Sequence, residues 1–167
     1  MKSIQKTFAA LLFCVAGISL AAAATSTDAI HVDIPVKLKQ ANVVFNMDHL
    51  AFLGDLPFGM DYMHLLSMRM KKDHTPGKII GVFHGPAAYM LLNDKAYDAA
   101  RHVVTGNPYA KTVAELQKEG VQIEECAVSM KGHHWGNADL LPGVLVNAGA
   151  VGRIIQLVQD GYVQIQP

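Results

Sequence analysis

Residues 107–128, NPYAKTVAELQKEGVQIEECAV, change their apolar period once, at Gly120, and that change decides the fold. Asn107 and Pro108 predict a helix start, because asparagine caps free N–H groups and proline suits a first turn; Gly120 predicts the stop. Beyond it Val121, Ile123 and Glu125 alternate with Gln122, Glu124 and Cys126, which is the two-residue period of a strand. A helix feeding a strand through one glycine is half of a crossover unit, and similar halves recur on both sides.

Upstream, ANVVFNM (41–47) is a short β-branched apolar run that predicts a buried strand. DLPFGMDYMHLLSMRMKK (55–72) predicts a helix with apolar Met60, Met63, Leu66 and Met70 and a basic end. KIIGVFHG (78–85) predicts a second strand, stopped at Gly85-Pro86, and residues 86–119 are helical in three pieces. Downstream, residues 129–143 read as a Gly- and His-rich loop, VLVNAG (144–149) as a strand, AVGRIIQLVQD (150–160) as a helix ended by Gly161, and YVQIQP (162–167) as a closing strand. Strands separated by helices predict an α/β layer fold with a mostly parallel sheet of about five strands, because parallel neighbours need crossover connections.

The start of the chain has another character. Lys2 and Lys6, the apolar run from Phe8 to Leu20, and Ala22-Ala23-Ala24 read as a secretory signal peptide over 1–24, and the run is too short for a comfortable membrane span. Cys14 lies within it. Residues 25–40 are read as an N-terminal arm that forms an edge strand or crosses the body, and residues 41–167 as one α/β domain. Taking 24 residues from 167 leaves 143, the size of one domain. The chain carries 14 Lys and Arg against 14 Asp and Glu, with no sustained run of either sign, which argues against nucleic-acid binding. Export without a retained span implies a periplasmic protein with no membrane attachment after cleavage.

Once the signal is removed, Cys126 is the one cysteine left, so it has no intrachain disulfide partner. It ends a strand, at the edge of an α/β sheet where ligands are bound, and His84 ends another strand at the same edge. Lys131, His133 and His134 follow Cys126 within eight residues and are candidate polarising groups, whereas Glu124 and Glu125 oppose a thiolate if they lie close. His133, His134 and Trp135 combine ligand atoms with an aromatic wall, and Asp48 and His49 after the first strand hint at the same edge. Met60, His64 and Met68, at steps of four, describe the core-facing side of an amphipathic helix; thioether and imidazole are also soft Cu(I) ligands. No GxSxG, GxxxxGK[ST] or GxGxxG motif is present, which argues against a serine hydrolase or nucleotide enzyme.

The runs GVFHGPAAYMLL (81–92), NPYAKTVAELQKEGVQIEECAVSM (107–130) and LLPGVLVNAGAVGRIIQLVQDGYVQIQP (140–167) resemble the DsrE/DsrF family of small sulfur-relay proteins, in a secreted branch. The resemblance implies a flavodoxin-like three-layer sandwich and a homo-oligomer, a trimer or hexamer. It further implies sulfur transfer or persulfide binding through Cys126 with a protein donor or acceptor, and no cofactor. The other readings are a soft-metal (copper) binder using Cys126 and a non-catalytic oligomeric module with a structural cysteine.

Overall fold

A computed structural model describes residues 30–167; the segment 1–24 that the sequence suggests as a signal peptide, with Cys14, lies outside the described residues. The chain divides into two units, residues 1–36 and 37–167. In the first, residues 30–36 are exposed and carry no helix or strand. Residues 37–40 are equally irregular, so the segment 30–40 supplies no edge strand.

In the second unit, the alternating run Ala41–Met47 forms β1 and pairs in parallel, residue for residue, with β4 (Gly77–Phe83). Between them come a two-stranded turn, β2 (Phe52–Leu53) with β3 (Leu56–Pro57), and helix α1 (Phe58–Asp73). A 3-10 helix (Gly85–Leu91), α2 (Asp94–Arg101) and α3 (Ala110–Lys118) lead to β5 (Gln122–Cys126). Then follow α4 (Ala127–His133), a short 3-10 turn (Asn137–Asp139), β6 (Leu145–Asn147), α5 (Ala150–Gln159) and β7 (Val163–Ile165). The sheet order is β6-β5-β4-β1-β7 and every pairing in it is parallel. The chain therefore steps outward from β1 to β6 and returns through α5 to the opposite edge.

Strand alternation sorts the two faces. Val43, Phe45, Ile79, Phe83, Val121 and Ile123 meet Met60 and Met63 of α1 and Val113 and Leu116 of α3. Val44, Ile80, Val82 and Cys126 meet Ala150, Ile154 and Leu157 of α5. Helices cover both faces, which makes the three-layer α/β sandwich expected from the sequence. Met60 and Met63 are wholly buried, and each such side chain contributes roughly 1.5–3 kcal/mol of transfer free energy.

Three local readings change. The row of α1 facing the core is Met60, Met63 and Ser67; His64 and Met68 are exposed, because the sheet sits one position around the helix from the four-step row. Residues 129–143 are not all loop, since α4 begins directly after β5. Asn107 is not the cap of a helix at 108. Buried, it accepts the Tyr109 N–H at 2.8 Å and donates to the carbonyls of Met90 and Leu92, tying the loop before α3 to the end of the 3-10 helix.

Three of the eight histidines do backbone work. His74, His102 and His134 end α1, α2 and α4 with φ of 51°, 56° and 61°, the left-handed cap conformation in which histidine is enriched.

Candidate functional site

Cys126 is the last residue of β5 and the N-cap of α4, and Ala150, which opens α5, lies across the strand end from it. The two helix starts aim free N–H groups at one sulfur. The Ala150 N–H donates to Sγ at 3.3 Å. Burial, at 4% exposure, pushes the thiol pKa up; the N–H groups of Ser129, Ala150 and Val128 and the Ser129 hydroxyl outweigh it, and the net displacement is downward.

The two glutamates before it are disarmed in different ways. Glu124 shares the Cys126 face, where Arg153 of α5 grips it: Nε donates to Oε1 and Oε2 at 3.1 and 3.0 Å, and Nη2 to Oε1 at 2.8 Å. Gln122 and Asn147 add donors at 2.7 and 3.2 Å. Glu125 points to the opposite face and is completely buried. Its Oε1 accepts the Cys126 N–H at 2.9 Å, while Oε2 has no partner among the described residues. Desolvation pushes this carboxyl up to about 9, so it is neutral at neutral pH. Neither glutamate therefore sets a bare negative charge against the sulfur.

His84 stands at the same sheet edge, directly after β4, the strand next to β5. Its Nε2 meets Asn46 Oδ1 at 2.7 Å, within a network in which Asn46 also reaches Asp48 and Gln166, and Asp48 reaches His49 at 2.6 Å and Gln166 at 2.7 Å. Burial lowers the His84 pKa against the opposing charge of Asp48. Asp48 itself is raised by burial, but hydrogen bonds from His49 and Gln166 bring it below its ordinary value. The adjoining Gly85 donates its N–H to Ser129 Oγ at 3.0 Å, so one residue lies between this edge and the thiol.

Lys131, His133 and His134 occupy the last turn and cap of α4, the end away from Cys126. They are exposed, and His133 stacks on Trp135 with ring centroids 4.4 Å apart. The polarising groups at the sulfur are backbone N–H groups and Ser129. Among the described residues, no three His, Cys, Asp or Glu are grouped to hold a metal.

Arg153, Ser129 and Ala150 are the site residues that the sequence reading did not single out. Ala150 was legible as the start of a helix after a strand, hence at the ligand-binding edge. Arg153 was not, because pairing it with Glu124 requires knowing that β6 lies beside β5.

A hollow of about 340 Å³ adjoins the Cys126 cap, lined by Asn147, Ala148, Gly149, Gly152, Arg153 and Gln156.

No curated protein matches the chain. Among solved structures it is similar to a protein of unknown function, MTH1491, from Methanobacterium thermoautotrophicum, at 24% identity and a TM-score of 0.56, covering 77% of this chain and 100% of that one. It is also similar to the ychN protein from E. coli, at 11% identity and a TM-score of 0.54, with the same coverage. At these identities the likeness shows the shared α/β fold. The model of the DsrE/DsrF-like family matches residues 59–167, which hold the 3-10 helix, β5 with Cys126, and α5. With well over half of its length matched in this way, the chain belongs to the DsrE/DsrF-like family.

Proposed function

We propose that this protein is an exported, periplasmic member of the family that carries sulfane sulfur on Cys126 as a persulfide. The observation that carries the reading is the convergence of N–H donors on Sγ, with Ala150 at 3.3 Å, at a strand end where neighbouring negative charge has been paired or protonated. Membership in a family related to sulfur-relay proteins supports it.

In the proposed step the Cys126 thiolate attacks a terminal sulfur of a donor. With a polysulfide of n sulfurs, a Cys–S–S⁻ forms as one donor S–S bond breaks, and a dianion of n − 1 sulfurs leaves. One sulfur atom moves and no external electrons are needed. The 4% exposure of Cys126 suits a small donor atom and shields the product from bulk solvent.

Treatment with inorganic polysulfide adds about 32 Da to the mature protein, reversed by dithiothreitol, and adds nothing to Cys126→Ser, since the thiolate is the nucleophile. A wild-type chain that stays unmodified, or a serine variant that gains the same mass, rejects the proposal. The same spectrum reads export: protein isolated from its native host should begin near Thr25, and a retained leader would contradict a periplasmic site.

The carrier is further proposed to act as a homo-oligomer, a trimer or hexamer, with a protein donor or acceptor. Val151, Ile155 and Val158 form an exposed apolar stripe on α5, and Leu145 and Val146 of the edge strand β6 are exposed as well. Light scattering should report an oligomer for wild type and a smaller species for Val151→Lys/Ile155→Glu. A wild-type monomer at about 0.1 mM, above the dissociation constants of stable assemblies, would dismiss it.

A further inference from the structure

Away from Sγ, the ends of α2 and α4 frame a second cleft of about 340 Å³ that the sulfur chemistry does not use. Its lining includes Leu50, Pro86, Tyr89, Arg101, His133 and Trp135. The volume lies within the range of small-molecule sites, roughly 300–1,000 Å³. The walls are preformed. Tyr89 packs in a trio with Tyr97 and Tyr109, at centroid distances of 5.9 and 6.2 Å. Trp135 is half-buried against the cluster of Leu92, Tyr97, Met130 and Leu140, with His133 stacked on it at an interplanar angle of 18°.

The charge in this cleft is one-sided. The Arg101 guanidinium lies 4.3 Å from the centre of the Tyr89 ring. No carboxylate lines the cleft, and Arg101 has no ion-pair partner among the described residues. A guanidinium laid on an aromatic ring keeps its charge in a fixed direction, and its forked donors match a carboxylate or sulfonate. The rest of the lining is mostly flat, namely Tyr89, Trp135 with the His133 ring stacked on it, Pro86 and Leu50.

The geometry points to a binding site for a small organic anion, a single carboxylate or sulfonate on a flat body, with the anion on Arg101 and the body against Tyr89 and Trp135. Arg101, the one permanent cation in the lining, balances one negative charge. A polyphosphate or nucleic-acid backbone, which needs several cations, is excluded by the same count. Gly85 of the lining donates to Ser129 Oγ, so the wall of this cleft is joined by one hydrogen bond to the Ser129 that also faces Cys126.

Trp135 is the one tryptophan in the chain, which makes intrinsic fluorescence a reporter of this cleft alone. Benzenesulfonate, titrated at constant ionic strength, should change Trp135 emission along a saturating curve. Methanesulfonate, with the anion but no flat body, should need at least about tenfold higher concentration, the ratio given by about 1.4 kcal/mol of ring contact. Arg101→Gln should weaken benzenesulfonate at least about tenfold, the loss expected of one charge-assisted contact, and Arg101→Lys should recover part of it. Far-UV circular dichroism and thermal midpoint establish that both variants are folded. A linear, non-saturating response in wild type, equal affinities for the two sulfonates, or undiminished binding by folded Arg101→Gln would overturn the assignment. Because the readout does not involve the thiol, its result is separate from that of the persulfide test.

Discussion

Glu125→Gln makes the protein more stable at neutral and alkaline pH and flattens the dependence of stability on pH. The native carboxyl titrates at about 9 against an ordinary value of 4.5, because burial disfavours its charge. The unfolded chain releases that proton above pH 4.5, while the folded chain keeps it, so folding takes up a proton. Stability from this group is fully present below 4.5 and is lost as pH rises through about 9. At about 1.4 kcal/mol per pH unit, wild type should lose on the order of 3 kcal/mol between about pH 5 and about pH 7.5. That is a large share of a typical 5–15 kcal/mol total.

Glutamine keeps the acceptor for the Cys126 N–H, matches the shape of the protonated acid and does not titrate. Urea unfolding at the two pH values measures the difference. The depressed pKa of Cys126 acts in the opposite sense, lending stability above the free thiol value that is lost as pH falls through the folded one. Because both proteins keep the thiol, their difference isolates Glu125. Parallel pH profiles for the two proteins would show that the buried carboxyl is not held neutral.

Arg153→Met carries the other large effect. Arg153 closes three contacts on Glu124, whose side chain is 3% exposed, and its removal leaves a buried carboxylate without its cation. Breaking a buried pair from one side costs about 3–5 kcal/mol, and the donors from Gln122 and Asn147 that remain place this case near 3 kcal/mol. Adding Glu124→Gln removes the stranded charge and should restore more than half of the loss, a coupling that a double-mutant cycle reads directly. The thiol reports the same event. Glu124 lies on the Cys126 face, so Arg153→Met should slow Cys126 alkylation by iodoacetamide at neutral pH, and the double variant should recover it. If the single and double variants lose equal stability, Arg153 acts through packing and the ion pair contributes little.

The elements were legible because they depend on local chemistry. The strand at 41–47 has the bounds its β-branched run predicts, and the helix over 150–159 stops just before the glycine that marks its end. The errors have local causes as well. Residues 127–133 lack a long apolar period, so this two-turn helix after β5 reads in the sequence as the end of a strand and, from residue 129, as loop. The Asn107 and Pro108 pair looks like a cap, but burial turned Asn107 inward to satisfy two backbone carbonyls.

From the sequence alone come the helix-strand alternation, the parallel α/β class, the resemblance to the DsrE/DsrF-like family and the position of Cys126 at a strand end. These follow from period, capping and turn chemistry, which act over a few residues. The sequence left open the sign of the electrostatic balance at the thiol, because two glutamates precede it and three basic residues follow. The tertiary structure decided it. Strand alternation puts Glu124 and Glu125 on opposite faces, the β6-α5 connection brings Arg153 across 29 positions onto Glu124, and burial protonates Glu125. The basic residues after Cys126 lie at the far end of α4, and backbone N–H groups from two helix starts take their place at the sulfur. A pKa is a sum over neighbours in space, and those neighbours exist only once the sheet order is set.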